Sequence, residues 1–231
     1  LHPLADQQAI PVVHVTHFNR LFWDCGTTPT TVIEHGVVDP GHLYTGELDH
    51  LAVVVNEPVR RWRVTGTDLL PEFALAGHLE VFGMGTDELA SATGLGPDQL
   101  TVRGDLPGKL LHAELARCRA YVHPLRWTSL GLALLEAMHL GMPVIALATT
   151  EAARAVPPEA GAISTNVDEL RREAARLVQE PEEARARGAV ARETVLQRHG
   201  LAAFLDNWDA VLAETRTHAG RVIAANERRE L

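Results

Sequence analysis

The 231-residue sequence has too little cysteine to staple a fold: Cys25 and Cys118 are the only two, with no CxxC spacing. That excludes a disulfide scaffold and a zinc ribbon, and leaves two buried, idle thiols in a reducing compartment as the expectation. Basic charge is also short, with 21 Lys and Arg against 30 Asp and Glu, for a net charge of −9 with the 12 histidines neutral. Such a chain repels phosphate backbones, so no nucleic-acid partner is expected. No apolar run approaches the ~18 residues of a membrane helix, so no transmembrane segment is expected. No Met opens the chain. It begins Leu1-His2-Pro3-Leu4 without a basic-then-apolar signal pattern, and strand-like Ile10–Val15 follows with nothing before it to pair. Either a segment has been removed or, the favoured expectation, the sequence begins inside a longer protein. Repeats and low-complexity tracts are absent too. With 46% hydrophobic and 22% charged residues, what remains is a globular, cytoplasmic chain.

Short runs rich in Val and Ile alternate with stretches of helical period. Residues 10–16, 31–34, 51–56, 78–83, 100–103, 119–123, 143–148 and 160–164 read as strands. Residues 67–76, 86–92, 107–117, 129–140 and 151–155 read as helices between them. Strands apolar on both faces, alternating with helices, predict an α/β class: a doubly wound, parallel, Rossmann-like sheet over residues 36–200. After Val167 only helical stretches follow, broken at Pro181 and Gly200. Phe204, Leu205, Trp208, Val211 and Leu212 give an amphipathic C-terminal helix in 201–231, with a charged tail from Arg221 expected to fray.

One segment carries chemistry. Thr128 to Ile145, TSLGLALLEAMHLGMPVI, parses as loop, helix, glycine stop, proline and buried strand. The helix is apolar nearly all round except at Glu136. Two readings stand: a carboxylate on a narrow solvent stripe, or a buried one satisfied by the paired hydroxyls of a ribose.

This run, with Arg119-Ala-Tyr-Val-His-Pro124 before it, resembles the donor-site signature of retaining GT-B glycosyltransferases of the family-four, or glycosyl transferases group 1, type. Three further stretches fit that template in order. Thr31-Val-Ile-Glu-His-Gly36-Val matches a strand that usually ends Asn-Gly-Val, Val81-Phe-Gly83-Met-Gly85 a glycine-ended strand, and Val102-Arg-Gly104-Asp-Leu106-Pro a loop beside the donor base. The resemblance implies the C-terminal half of a GT-B fold with a C-terminal helical segment. It implies a retaining, metal-independent hexosyltransferase whose donor is a nucleotide-diphosphate sugar and which needs no other cofactor. Residues 1–35 then correspond to the end of an N-terminal, acceptor-binding domain that is otherwise missing from this chain. The isolated chain is expected to be inactive without it.

Site residues follow from the resemblance position by position. Glu136 matches the second glutamate of Glu-x7-Glu, which binds the donor ribose, whereas the first glutamate is replaced by Thr128. Ser129, Leu130, Gly131 and Leu132, at the helix start, offer backbone N–H groups to sugar or diphosphate. Gly104 and Leu106 lie where the base is read. The family's Arg and Lys, which stabilise the leaving diphosphate, correspond to Arg60 and Thr65. Arg63, in the loop expected over Asn56–Asp68, is two residues from the missing Lys and can replace its charge with a bidentate fork. The departures at Thr65 and Thr128 leave a second possibility: a degenerate GT-B domain that binds a nucleotide or a partner subunit without catalysis.

Other signals are weaker. Gly83-Met-Gly85 begins a dinucleotide fingerprint, but Glu88 stands where its third glycine should be. His14 and His17 would face opposite sides of a strand, and His112, His123 and His139 have no ligand spacing, so no metal is expected. Trp62, Trp127, Phe204 and Trp208 read as packing anchors, with a place at the border of the sugar pocket as the alternative for Trp127 beside Thr128.

Overall fold

The computed structural model describes residues 1–227, with side chains as far as Thr217. Two compact units divide the chain, one of Leu1–Val38 with Arg198–Leu231 and one of Asp39–Gln197. In the first unit, β1 (Val12–His14) is followed by α1 (His17–Phe22) and β2 (Thr30–Val32). β1 and β2 pair in parallel, Val12 opposite Thr30. The Thr16 hydroxyl caps α1 by accepting the Asn19 N–H. Six residues give too short a period to announce that helix in sequence, and it puts His17 on a helix rather than a strand end.

The second unit runs β3 (Leu48–Val54), α2 (Pro58–Thr65), a single 3-10 turn, α3 (Leu70–Ala74), β4 (His78–Phe82), α4 (Leu89–Thr93) and β5 (Leu100–Gly104). It continues with α5 (Gly108–Arg117), β6 (Cys118–His123), α6 (Leu132–Leu140), β7 (Val144–Leu147), α7 (Ala152–Ala155), β8 (Gly161–Ser164), α8 (Val167–Gln179) and α9 (Pro181–Arg198). α10 (Leu201–Glu227) belongs to the first unit. Its backbone takes in residues 221–227, so the reading of a fraying tail falls partly outside the described residues. Among the described residues no helix is long and apolar enough to cross a membrane.

All eight expected strands are present, and the six of the larger unit form one parallel sheet in the order β5-β4-β3-β6-β7-β8. Alternate side chains face opposite layers. Leu51, Val53, Leu79, Val81, Val122 and Ile145 meet Leu70, Phe73, Leu170 and Leu177 in one core, all essentially inaccessible. Burying such aliphatic and aromatic side chains stabilises the fold by about 1.5–3 kcal/mol each. Tyr121, whose Cα pairs with Val144 of β7, and His123 face the other way. There they meet α6, which is buried around most of its circumference as its composition predicts. Cys25 and Cys118 are both free and buried, and burial pushes the Cys118 thiol up to about 12.

The loop expected over Asn56–Asp68 is instead largely helix. α2 starts on Pro58 and stops at left-handed Gly66, but Trp62 interrupts it with φ 28° and ψ −90°. That kink, together with three arginines, erases the 3.6-residue period by which a helix is recognised.

Candidate functional site

Successive strands run outward from β3 to β5 on one side and from β6 to β8 on the other. The order reverses between β3 and β6. In open α/β sheets the crevice beyond the carboxyl ends of the strands at such a reversal is where ligands bind. The two loops that meet there are those containing the arginines and Thr128.

Backbone hydrogen bonds lace this rim together. Glu57 N–H donates to the Met84 carbonyl at 2.8 Å, and Gly83 N–H to the Gly104 carbonyl at 2.8 Å, joining the ends of β3, β4 and β5. Arg126 N–H donates to the Val64 carbonyl at 3.0 Å, joining the loop after β6 to the end of α2. From β7, the Thr149 hydroxyl donates to the Leu125 carbonyl at 2.8 Å, and Glu151 N–H donates to the Ser129 carbonyl at 3.3 Å. Glu57, Trp62 and Thr150 hold positive φ on this rim, out of four such non-glycine residues among the described residues. Conformations of this kind cost about 1–3 kcal/mol and persist where the surroundings enforce them.

The arginines divide. Arg60 is exposed and pairs with Glu57, Nε to Oε2 3.4 Å. Arg63, also exposed, reaches Asp68 at 3.1 Å. Arg126, which sequence reasoning missed, grips the same carboxylate with both terminal nitrogens, at 2.5 and 2.9 Å, and donates to the Arg63 carbonyl at 2.9 Å. Burial pushes the Asp68 carboxyl up, but the Arg126 hydrogen bond and the charges of Arg126 and Arg63 outweigh it and hold it below its ordinary value. Thr65, where the resemblance leads to an expected Lys, is buried, its hydroxyl 3.1 Å from the Trp62 carbonyl and 2.9 Å from the Thr67 hydroxyl. Positive charge at this rim thus comes from side chains on both loops, braced by one aspartate.

Thr128 and Ser129 are half-buried, Leu130 is buried, and Gly131 is the N-terminal cap residue of α6 with no side-chain cap. The α6 N–H groups therefore remain available at an electropositive helix end. Leu132, the first helical residue, is largely exposed. Beneath Gly131 stands His123, so close that a Cβ at 131 would lie 2.4 Å from its Cε1. The imidazole is buried with no partner for Nδ1, and burial lowers its pKa to about 4. Trp127, expected as a packing anchor, is instead 57% exposed.

Glu136 lies between the two readings made from sequence: its side chain is 30% exposed, with His112 Nε2 at 3.7 Å from Oε2. Gly104 has φ 69° at the end of β5, with open space where a Cβ would stand, and half-buried Leu106 leads from it into α5. A separate cluster, His50, His78 and Glu80, is the one group of potential metal ligands among the described residues. It sits toward the starts of β3 and β4, and Arg103 already holds Glu80 at 2.6 Å with His50 at 3.0 Å.

Residues 66–180 match the model of the family glycosyl transferases group 1. Through this segment the chain belongs to that family. Among solved structures, it is similar to a sucrose-phosphate synthase from Thermosynechococcus elongatus, with TM-score 0.71 and 20% identity over 93% of this chain and 59% of that one. It is similar also to a glycosyltransferase from Rickettsia africae, with TM-score 0.73 and 15% identity over 90% of this chain and 64% of that one. HepE from Anabaena, solved in complex with UDP, has TM-score 0.71 and 15% identity over 87% and 63%. The likeness to these three is one of fold, and the chain spans under two thirds of each. A comparison with curated proteins returns no match.

Proposed function

We propose that this chain is the C-terminal, donor-binding part of a retaining glycosyltransferase that moves a sugar from a nucleoside diphosphate to an acceptor held by a further domain. One observation carries the reading. The loops after β3 and β6 are joined at the sheet's order reversal, Arg126 N–H to Val64 carbonyl, so arginines and the open α6 N-terminus border one crevice. As the glycosidic bond breaks, the diphosphate gains negative charge. Arg60 and Arg63, with Arg126 behind them, stabilise that charge, and the α6 N–H groups around Leu130–Leu132 hold a phosphate or sugar hydroxyl. Glu136 accepts hydrogen bonds from the ribose, Gly104–Leu106 border the base, and Thr128 contributes a neutral hydroxyl toward the sugar. With arginines supplying this charge, the reaction proceeds without a metal or a cofactor beyond the donor. Two unpaired thiols suit a cytoplasmic location.

Calorimetric titration of the 231-residue chain with UDP, GDP and ADP, with and without Mg²⁺, tests the reading. Saturable binding of one nucleotide, insensitive to Mg²⁺ and weakened in Glu136→Ala by about 1–3 kcal/mol, is expected. Metal-dependent binding, or an unchanged affinity in Glu136→Ala, would overturn the site as described. HepE has also been solved with UDP and glucose and with UDP-glucose, which makes uridine donors the first to try.

A further inference from the structure

α5 and α6 start from the carboxyl ends of β5 and β6, and both connections carry the chain toward β8. Right-handed crossovers in one direction place their helices on one face of the sheet, and α5 packs on α6 there. His112 is the fifth residue of α5, and Glu136 the fifth residue of α6. The two side chains therefore stand at matching depth, about one turn below the two helix N-termini. Their heads approach to 3.7 Å, Nε2 to Oε2, with His112 19% and Glu136 30% exposed. Tyr121, on β6, is fully enclosed. Burial raises its phenol pKa, and the Glu136 charge adds to that rise, so a negative carboxylate stands within electrostatic reach of an enclosed aromatic wall. A half-buried carboxylate beside such a wall gains from a polar neighbour that fixes its orientation.

We propose that His112 is a positioning residue for Glu136: its imidazole edge holds Oε2 and keeps the carboxylate turned to the ribose diol. The proposal rests on the ribose role given to Glu136 above. At 3.7 Å the contact is longer than a hydrogen bond, so it acts as an oriented polar contact that a bound diol tightens. Any effect of His112 should then pass through the ribose hydroxyls alone. A structural role would disturb all binding or stability instead.

The test measures affinity of the full 231-residue chain for UDP, GDP and ADP and for the 2′,3′-dideoxy form of each. Variants are His112→Ala, His112→Gln and Glu136→Ala, with thermal unfolding as the control for folding. For the nucleotide that binds, His112→Ala is expected to weaken the ribonucleotide about 5-fold and to leave the dideoxy form within about twofold. His112→Gln, which keeps an N–H donor, is expected to recover most of the loss. Equal weakening of both forms, or no weakening by His112→Ala while Glu136→Ala does abolish the preference for the ribonucleotide, would overturn the role of His112 alone. If the wild-type chain binds none of the nucleotides, or Glu136→Ala leaves ribose discrimination intact, the ribose site falls and this inference with it.

Discussion

A β-carbon at Gly66 would stand 1.9 Å from the carbonyl oxygen of Pro124. The backbone that ends α2 and the backbone that follows β6 are in contact there, and Gly66 also holds φ 73°. Gly66→Ala therefore carries both a collision with main chain and a left-handed alanine. A loss of roughly 2–4 kcal/mol in denaturant unfolding is expected, at the upper end for single substitutions. A loss under about 0.5 kcal/mol would mean that the two loops separate freely.

Arg126→Ala strands the Asp68 carboxylate, which keeps only exposed Arg63. It should destabilise the chain by about 1–3 kcal/mol at neutral pH. Asp68 has a folded pKa below its unfolded value, so its contribution is present above about pH 4 and is lost as pH falls through the folded value. The gap between wild type and variant should accordingly narrow below about pH 4. A gap independent of pH would assign the loss to packing of the arginine stem instead.

His123 titrates near 4 when folded, against about 6.5 when unfolded, because burial disfavours its cation. Between those values the unfolded chain binds more protons, so stability falls as pH drops from about 6.5 toward 4 and levels off below. The full effect is on the order of 3 kcal/mol. His14 and His35 are lowered by burial as well, so the measurement is the difference between wild type and His123→Leu across that window. Parallel pH profiles would refute the assignment.

Thr65→Lys introduces the residue that the family resemblance leads one to expect at position 65, yet Thr65 is buried with its hydroxyl engaged. The expected result is a destabilisation of several kcal/mol from an ammonium lacking water, with no gain in nucleotide affinity. Tighter binding in a fully folded Thr65→Lys chain would show that the wild-type site lacks a charge that Arg63 and Arg126 do not supply.

The sheet was legible because β6 and β7 are buried along their whole length: β7 is an unbroken apolar run, and β6 keeps Ala120, Tyr121 and Val122 at its centre although Arg119 and His123 flank them. α6 was legible for the same reason, with Gly141 and Pro143 marking its end. α2 was not, since its period breaks at Trp62. Arg126 and His112 were invisible for a different reason. Asp68 and Arg126 are 58 positions apart, and His112 and Glu136 meet only because two helices begin at the same rim. No local pattern encodes such a meeting. What sequence offered instead was a pair of departures, Thr65 and Thr128, and the first of them proves to lie in a buried hydroxyl pair.

Apart from the Arg126 guanidinium, the segment around Thr128 is held through its own main-chain atoms: Arg126 N–H donates to the Val64 carbonyl, the Ser129 carbonyl accepts from Glu151 N–H, and the Leu125 carbonyl accepts from the Thr149 hydroxyl. Side chains at 127, 128 and 132 take no part in those bonds. The loop is therefore a socket whose lining can be exchanged without rebuilding the wall: under the proposed donor role, single substitutions at these positions would change which sugar is accepted while the arginine end of the crevice stays where it was.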